Sequence, residues 1–244
     1  MEKHEYAVMF TMEEDYWWYL GLRNIVSQCI SRFANQYTKL RILDAGCGTG
    51  KILETHKNYD AYGLEFSEEA FRFLKIRRLE NVIRASICYM PFKKKIFDLV
   101  ISLDVLYHKS VEDDEEALAE IYRVLETGGL LILNLPAFEF LRSRHDMAIH
   151  TKRRYQKKEI RKKLNKTGFH VQWITYRNTF LFPVAIIMRL ISKKRHKTKS
   201  DLYSSLPRWV NKLFYGILIL EEKLLLNGVI FPFGLSVFCI ARKK

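Results

Sequence analysis

Apolar and polar positions along this chain follow two periods that alternate. Leu22, Ile25, Val26, Cys29, Ile30 and Phe33 recur at helical spacing behind an acidic and aromatic cluster, Glu13 to Tyr19, and predict one or two helices ahead of the main body. Short apolar runs follow at Leu40 to Ala45, Ala61 to Glu65, Val82 to Ala85, Phe97 to Leu103 and Leu130 to Leu135. Runs of that length bounded by turn residues predict buried strands. Between them lie helical stretches. One starts after Ser67 as its N-cap and runs to about Leu79. Another is capped by Asp113, presents Ala117, Leu118, Ile121, Val124 and Leu125 on one face, and stops at Gly128-Gly129. The regular alternation predicts an α/β fold around a parallel sheet.

Past Pro136 the pattern changes. A helix from about Lys157 to Lys166 leads into a strand from Gly168 to Tyr176, a helix covers about Val210 to Leu226, and the last strand is Leu235 to Ala241. The chain reads as one unit: a helical lid at 1–38, a core at 39–136, a cap at 137–167 and 177–230, and final strands at 168–176 and 231–244. Its 244 residues, 48% of them hydrophobic, suffice for one full α/β core.

Charge is unevenly spread. The net +14 resolves into −5 over residues 1–141, +16 over 142–199 and +3 over 200–244. Such a block suits an anionic partner, whether phosphate, nucleic acid or membrane surface, or else serves as a solvated helix face. Four scattered cysteines (29, 47, 88 and 239) form no disulfide framework and no zinc pattern, and the opening residues lack a signal segment, so a cytoplasmic location is expected. The longest apolar stretches, Thr179 to Ile191 and Gly228 to Ala241, fall short of the roughly 20 residues that cross a bilayer.

The strongest chemical signal is Asp44-Ala45-Gly46-Cys47-Gly48-Thr49-Gly50 directly after a strand. Glycines let backbone turn sharply and approach a ligand, and the next helix offers unpaired N–H groups. A dinucleotide fingerprint would need Gly or Ala at position 51, where Lys51 stands, which argues against a nicotinamide or flavin dehydrogenase. Glu65 closes the second strand about 20 residues on, where an acidic side chain suits two ribose hydroxyls.

With Ile42 to Gly50, Gly63-Leu64-Glu65, Met90-Pro91-Phe92, Phe97 to Val100, Leu103 to His108 and Arg123 to Gly129, the chain resembles the class I S-adenosylmethionine-dependent methyltransferases over nearly its whole length. That resemblance implies a Rossmann-like, seven-stranded, mostly parallel sheet with helices on both faces, an antiparallel last strand, a helical lid and a basic cap insertion. It implies S-adenosylmethionine as cofactor and S-adenosylhomocysteine as product. It puts Asp44, Gly46, Cys47 and Gly48 around the methionine part, Glu65 on the ribose and Phe66 by the adenine. Ser86 and Ile87 border the adenine, with Ser86 standing where many members have aspartate. Leu103 and Asp104 border the methyl, and His108 walls the cofactor.

Trp17-Trp18-Tyr19 with Arg23, and His145, Asp146, His150 and Arg153-Arg154-Tyr155, resemble a branch with small-molecule or lipid-linked acceptors. Arg23 suits the cofactor carboxylate, or else is a surface arginine. Asp104 alternatively caps a turn. His145 and His150 are candidate bases for a hydroxyl acceptor, with phosphate binding or loop ordering as the alternatives. No metal spacing is present. Two acceptor classes remain: a small-molecule or lipid-linked one, with Thr179 to Lys199 either touching an anionic membrane or forming a core helix or substrate lid, and RNA tracked by the 142–199 block. The chain lacks an Asn-Pro-Pro-Tyr type of segment used on base amines. A scaffold that binds the cofactor without turnover is the non-enzymatic alternative.

Overall fold

The computed structural model describes residues 1–34, 39–187 and 206–244. Two helices, α1 (Lys3–Met12) and α2 (Trp17–Ala34), precede β1 (Arg41–Ala45), α3 (Lys51–Thr55), β2 (Asp60–Glu65), α4 (Glu68–Ile76), β3 (Val82–Arg84) and β4 (Phe97–Leu103). Then come α5 (Asp114–Val124), β5 (Leu125–Pro136), α6 (Arg144–Ala148), α7 (Lys157–Thr167) and β6 (Phe169–Arg177). A helix described over 182–187 (α8) is followed by α9 (Arg208–Leu226) and β7 (Ser236–Lys243).

The seven strands form one sheet in the order β3-β2-β1-β4-β5-β7-β6. The first five are parallel, while β7 runs antiparallel between β5 and β6. Nearly all of β4 is buried, as expected of a central parallel strand covered on both faces. One face packs Leu43, Val100, Leu131 and Leu133 against Ala117, Leu118 and Ile121 of α5 and Ile160 and Leu164 of α7. The other packs Ile42, Leu99, Ile101, Ile132 and Phe238 against Ile25, Val26, Ile30 and Phe33 of α2 and Leu225 of α9. This is the α/β architecture expected from the alternation and the resemblance.

Three local expectations change. Ser67 occupies the N-cap of α4, but its side chain caps nothing; its N–H instead donates to Glu65 Oε1 at 2.8 Å. Helix α4 ends at Ile76, short of Leu79. Gly128-Gly129 does not stop α5, which ends at Val124; the glycines lie inside β5, whose ladder with β4 begins at Leu125. Asp113 does cap α5, accepting from Glu115 N at 2.7 Å. Among the described residues no helix is long and apolar enough to cross a membrane. The stretch Thr179 to Ile191 is described only to 187, and Lys193 to Lys199 lie outside the described residues.

Candidate active site

Strand order reverses between β1 and β4, so the connections leaving their C-terminal ends diverge and leave a crevice, the usual ligand position in a doubly wound sheet. Three segments meet there: the turn after β1, the end of β2 and the turn after β4. In the first, Gly46, Gly48 and Gly50 all have positive φ, and Gly46 and Cys47 donate to Leu64 O at 2.7 and 3.0 Å. At Gly46 (φ 96°) a Cβ would overlap the Val105 side chain. The turn therefore requires glycine twice over, for its dihedral and for the close approach of the β4 turn.

Glu65 Oε2 accepts from Gly48 N at 2.9 Å and Oε1 from Ser67 N, which fixes the carboxylate at the crevice floor. Burial raises its pKa, and backbone donors pull it partly back. The carboxylate of Asp44, a residue only 2% exposed, accepts no hydrogen bond from the described residues. Burial, then the nearby charges of Glu65 and Glu13, push its pKa up to about 8. Buried carboxylates without donors are costly. A cationic ligand carrying hydroxyl and ammonium donors relieves that cost, and the glycine turn leaves room for it. The donor set therefore fits S-adenosylmethionine.

Asp104 follows β4 in the left-handed region (φ 57°). Its N–H donates to Asn134 O at 2.8 Å, and both its carboxylate oxygens accept from Asn134 Nδ2 at 3.0 Å. The residue thus ties the ends of β4 and β5 together while facing the crevice. Burial raises its pKa to about 6, against opposing pulls from Asn134, Arg177 and Arg154.

One cavity of about 930 Å³ brings together the residues expected to hold the cofactor or act as base, Arg23, Asp44, Gly46, Cys47, Gly48, Glu65, Phe66, Ser86, Ile87, Leu103, Asp104, His108, His145 and His150, while Arg153 and Tyr155 do not line it. Arg23 donates through Nη1 to Glu13 O at 2.6 Å, so part of its fork serves the lid. His108 Nδ1 accepts from Ser110 N at 3.1 Å, and burial lowers its pKa to about 4. Burial and neighbouring cations, Lys109 among them, also lower the pKa of His150, which keeps it neutral at neutral pH. His145 lies on the short helix α6.

The cavity also contains residues that sequence reasoning missed. Tyr6 and Met9 of α1 line it, as do Arg142 of the cap and Ser236 at the start of β7. Glu13 lines it too, joined to Thr49 and, at 2.7 Å, to Arg77 Nη2. Arg77 also binds Glu14 (2.8 Å), Glu54 (2.6 Å) and Thr49 O (3.0 Å), fastening the lid to α3 and α4. The acidic run Glu13-Glu14 was the visible signal for this contact. Apolar side chains line it as well: Trp17, Leu22, Leu181, Val184, Phe214 and Leu235. Among the described residues no His, Cys, Asp or Glu cluster suits a metal ion.

Residues 43–133 match the family model described as a methyltransferase domain. An uncharacterised protein of Methanocaldococcus jannaschii is 34% identical over 108 residues, 44% of this chain and 45% of that protein. The tRNA (carboxymethyluridine(34)-5-O)-methyltransferase of Arabidopsis thaliana is 32% identical over 99 residues, 40% of this chain and 24% of that enzyme. The chain thus spans less than half the length of these curated relatives. Among solved structures, a Thermotoga maritima S-adenosylmethionine-dependent methyltransferase described as a possible histamine N-methyltransferase superposes with a TM-score of 0.60 at 20% identity, covering 99% of this chain and 96% of that one. The fold is that of the class I methyltransferases.

Proposed function

We propose that this chain, which carries a methyltransferase domain in its core, is an S-adenosylmethionine-dependent methyltransferase acting on an oxygen of a small-molecule or lipid-linked acceptor. The carrying observation is one cavity lined both by the carboxylates Asp44, Glu65 and Asp104 and by apolar side chains, Trp17, Leu22, Leu181 and Phe214 among them. At about 930 Å³ it is near the top of the range for ligand pockets, enough for a cofactor and an acceptor side by side.

The cofactor supplies a methyl group on a positively charged sulfur, already activated for in-line transfer. The work left to the chain is alignment and exclusion of water. Asp44 faces the charged methionine part, Glu65 is the residue to accept the ribose hydroxyls, and Gly46 and Gly48 let the backbone approach. Trp17, Leu22, Leu181 and Phe214 keep the acceptor side dry. His145 and His150 are the candidates to take the hydroxyl proton, His150 being held in the neutral form a base needs. The chain works as one unit, with 1–38 as the lid over the 39–136 core.

A second reading, RNA as acceptor, is favoured by the tRNA methyltransferases among the relatives. Against it, much of the described basic block is spent internally. Lys163 pairs with Asp114, Lys166 with Glu115, Arg153 with Asp114 and Glu159, and Arg154 with Asp146. Incubation with methyl-tritiated S-adenosylmethionine and a cell extract, followed by separation into organic-soluble, small aqueous and RNA fractions, tests the choice. Label in the organic or small-molecule fraction is expected; label confined to RNA overturns the first reading.

A further inference from the structure

Helix α9 is apolar on two opposite sides. Inward it carries Leu218 and Leu225, both buried, and its two acidic residues, Glu221 and Glu222, are buried on that side as well. Outward it carries Trp209, Leu213, Leu220 and Leu224, which at 3.6 residues per turn fall within a stripe about 60° wide. Trp209 is 69% exposed and Leu220 56%. Just past the helix, Val229 and Ile230 extend the exposed apolar surface. A surface helix ordinarily turns charge to that side, and a contiguous exposed patch marks a contact.

The surroundings indicate the kind of contact. Arg208, Lys212 and Lys223 are exposed on α9, and no acidic side chain of the helix faces out. A second copy on the same face would set these cations against each other. RNA phosphates would match the cations but leave the leucines wet. An anionic bilayer satisfies both, because apolar side chains enter the acyl boundary while basic ones meet headgroup phosphates.

We propose that the outer face of α9 docks this protein on an anionic phospholipid surface. Phe214, on the same helix, lines the cavity, so docking brings the part of the cavity wall that α9 supplies within about one helix diameter of the bilayer. The inference does not depend on the methyl-transfer reading, and its test needs no acceptor.

The full chain is floated with phosphatidylcholine vesicles, with and without 30% phosphatidylglycerol, at low and high salt. In parallel its mass is read by light scattering. Flotation with the anionic vesicles only, weakened by salt and reduced about tenfold by Leu213→Glu with Leu220→Glu, is the expected result. Leu213→Cys carrying an environment-sensitive dye, in a chain whose native cysteines are all buried, should shift to the blue on the same vesicles. No flotation, unaltered flotation of the double variant, an unshifted dye, a dimer that the double variant dissolves, or RNA binding lost in that variant would each overturn the proposal.

Discussion

Asp44 shows how a single residue carries the account. An ordinary carboxylate is ionised well below neutrality, yet here burial beside Glu65 and Glu13 raises the pKa to about 8. Between pH 4 and pH 8 the folded protein therefore holds a proton that the unfolded chain has lost. Folding stability from this group is complete below pH 4 and is lost as pH rises towards 8. In the ligand-free protein, Asp44→Asn should melt above the parent by a margin that widens from pH 5 to pH 8, read by scanning fluorimetry; a constant margin would mean that Asp44 is not strained. At this scale the sequence was informative where chemistry is local. The glycine turn and Glu65 declared themselves by spacing, and they meet in one cavity with the other residues expected to hold the cofactor. Asn134 and Tyr6 did not, because each holds its position through a fold contact with no local mark. Asn134, for example, reaches Asp104 across 30 residues of chain.

The elements divide in the same way. Strands and the helices of the core were legible because each has one dominant period, and Asp113 marked its helix by a side-chain bond within two residues. Boundaries failed where tertiary pairing overrode local signals. Gly128-Gly129 reads as a helix stop, yet β5 begins before it because Leu125 pairs with Phe97. The cap around α6 depends on an ion pair between two residues eight apart in the chain. Asp146, 1% exposed, accepts from Arg154 Nε at 2.9 Å and Nη2 at 3.1 Å, and from Ser143 N at 2.7 Å. Removing one partner leaves a buried charge alone, so Asp146→Ala should cost about 3–5 kcal/mol in urea unfolding. Asp146→Leu combined with Arg154→Met should recover most of that loss. A cost below about 1 kcal/mol for Asp146→Ala would mean that the cap is open to water.

At the scale of the whole molecule, charge distribution was the least legible property. The sequence shows a basic block of +16 following an acidic half of −5. The fold lays Arg153, Lys163 and Lys166 against the acidic start of α5, so the net charge overstates what remains to meet a partner. What holds the molecule's parts to a common purpose is the crevice between β1 and β4, roofed by the lid that Arg77 fastens. The most direct test of that claim is calorimetric titration of the purified protein with S-adenosylmethionine and S-adenosylhomocysteine, repeated on Gly46→Ala and Glu65→Ala. Both ligands should bind the parent. Gly46→Ala, which sets a Cβ against Val105 at a strained dihedral, should weaken them about tenfold or more, and Glu65→Ala should weaken them while leaving the fold intact. A folded parent protein that takes up neither ligand would contradict the account.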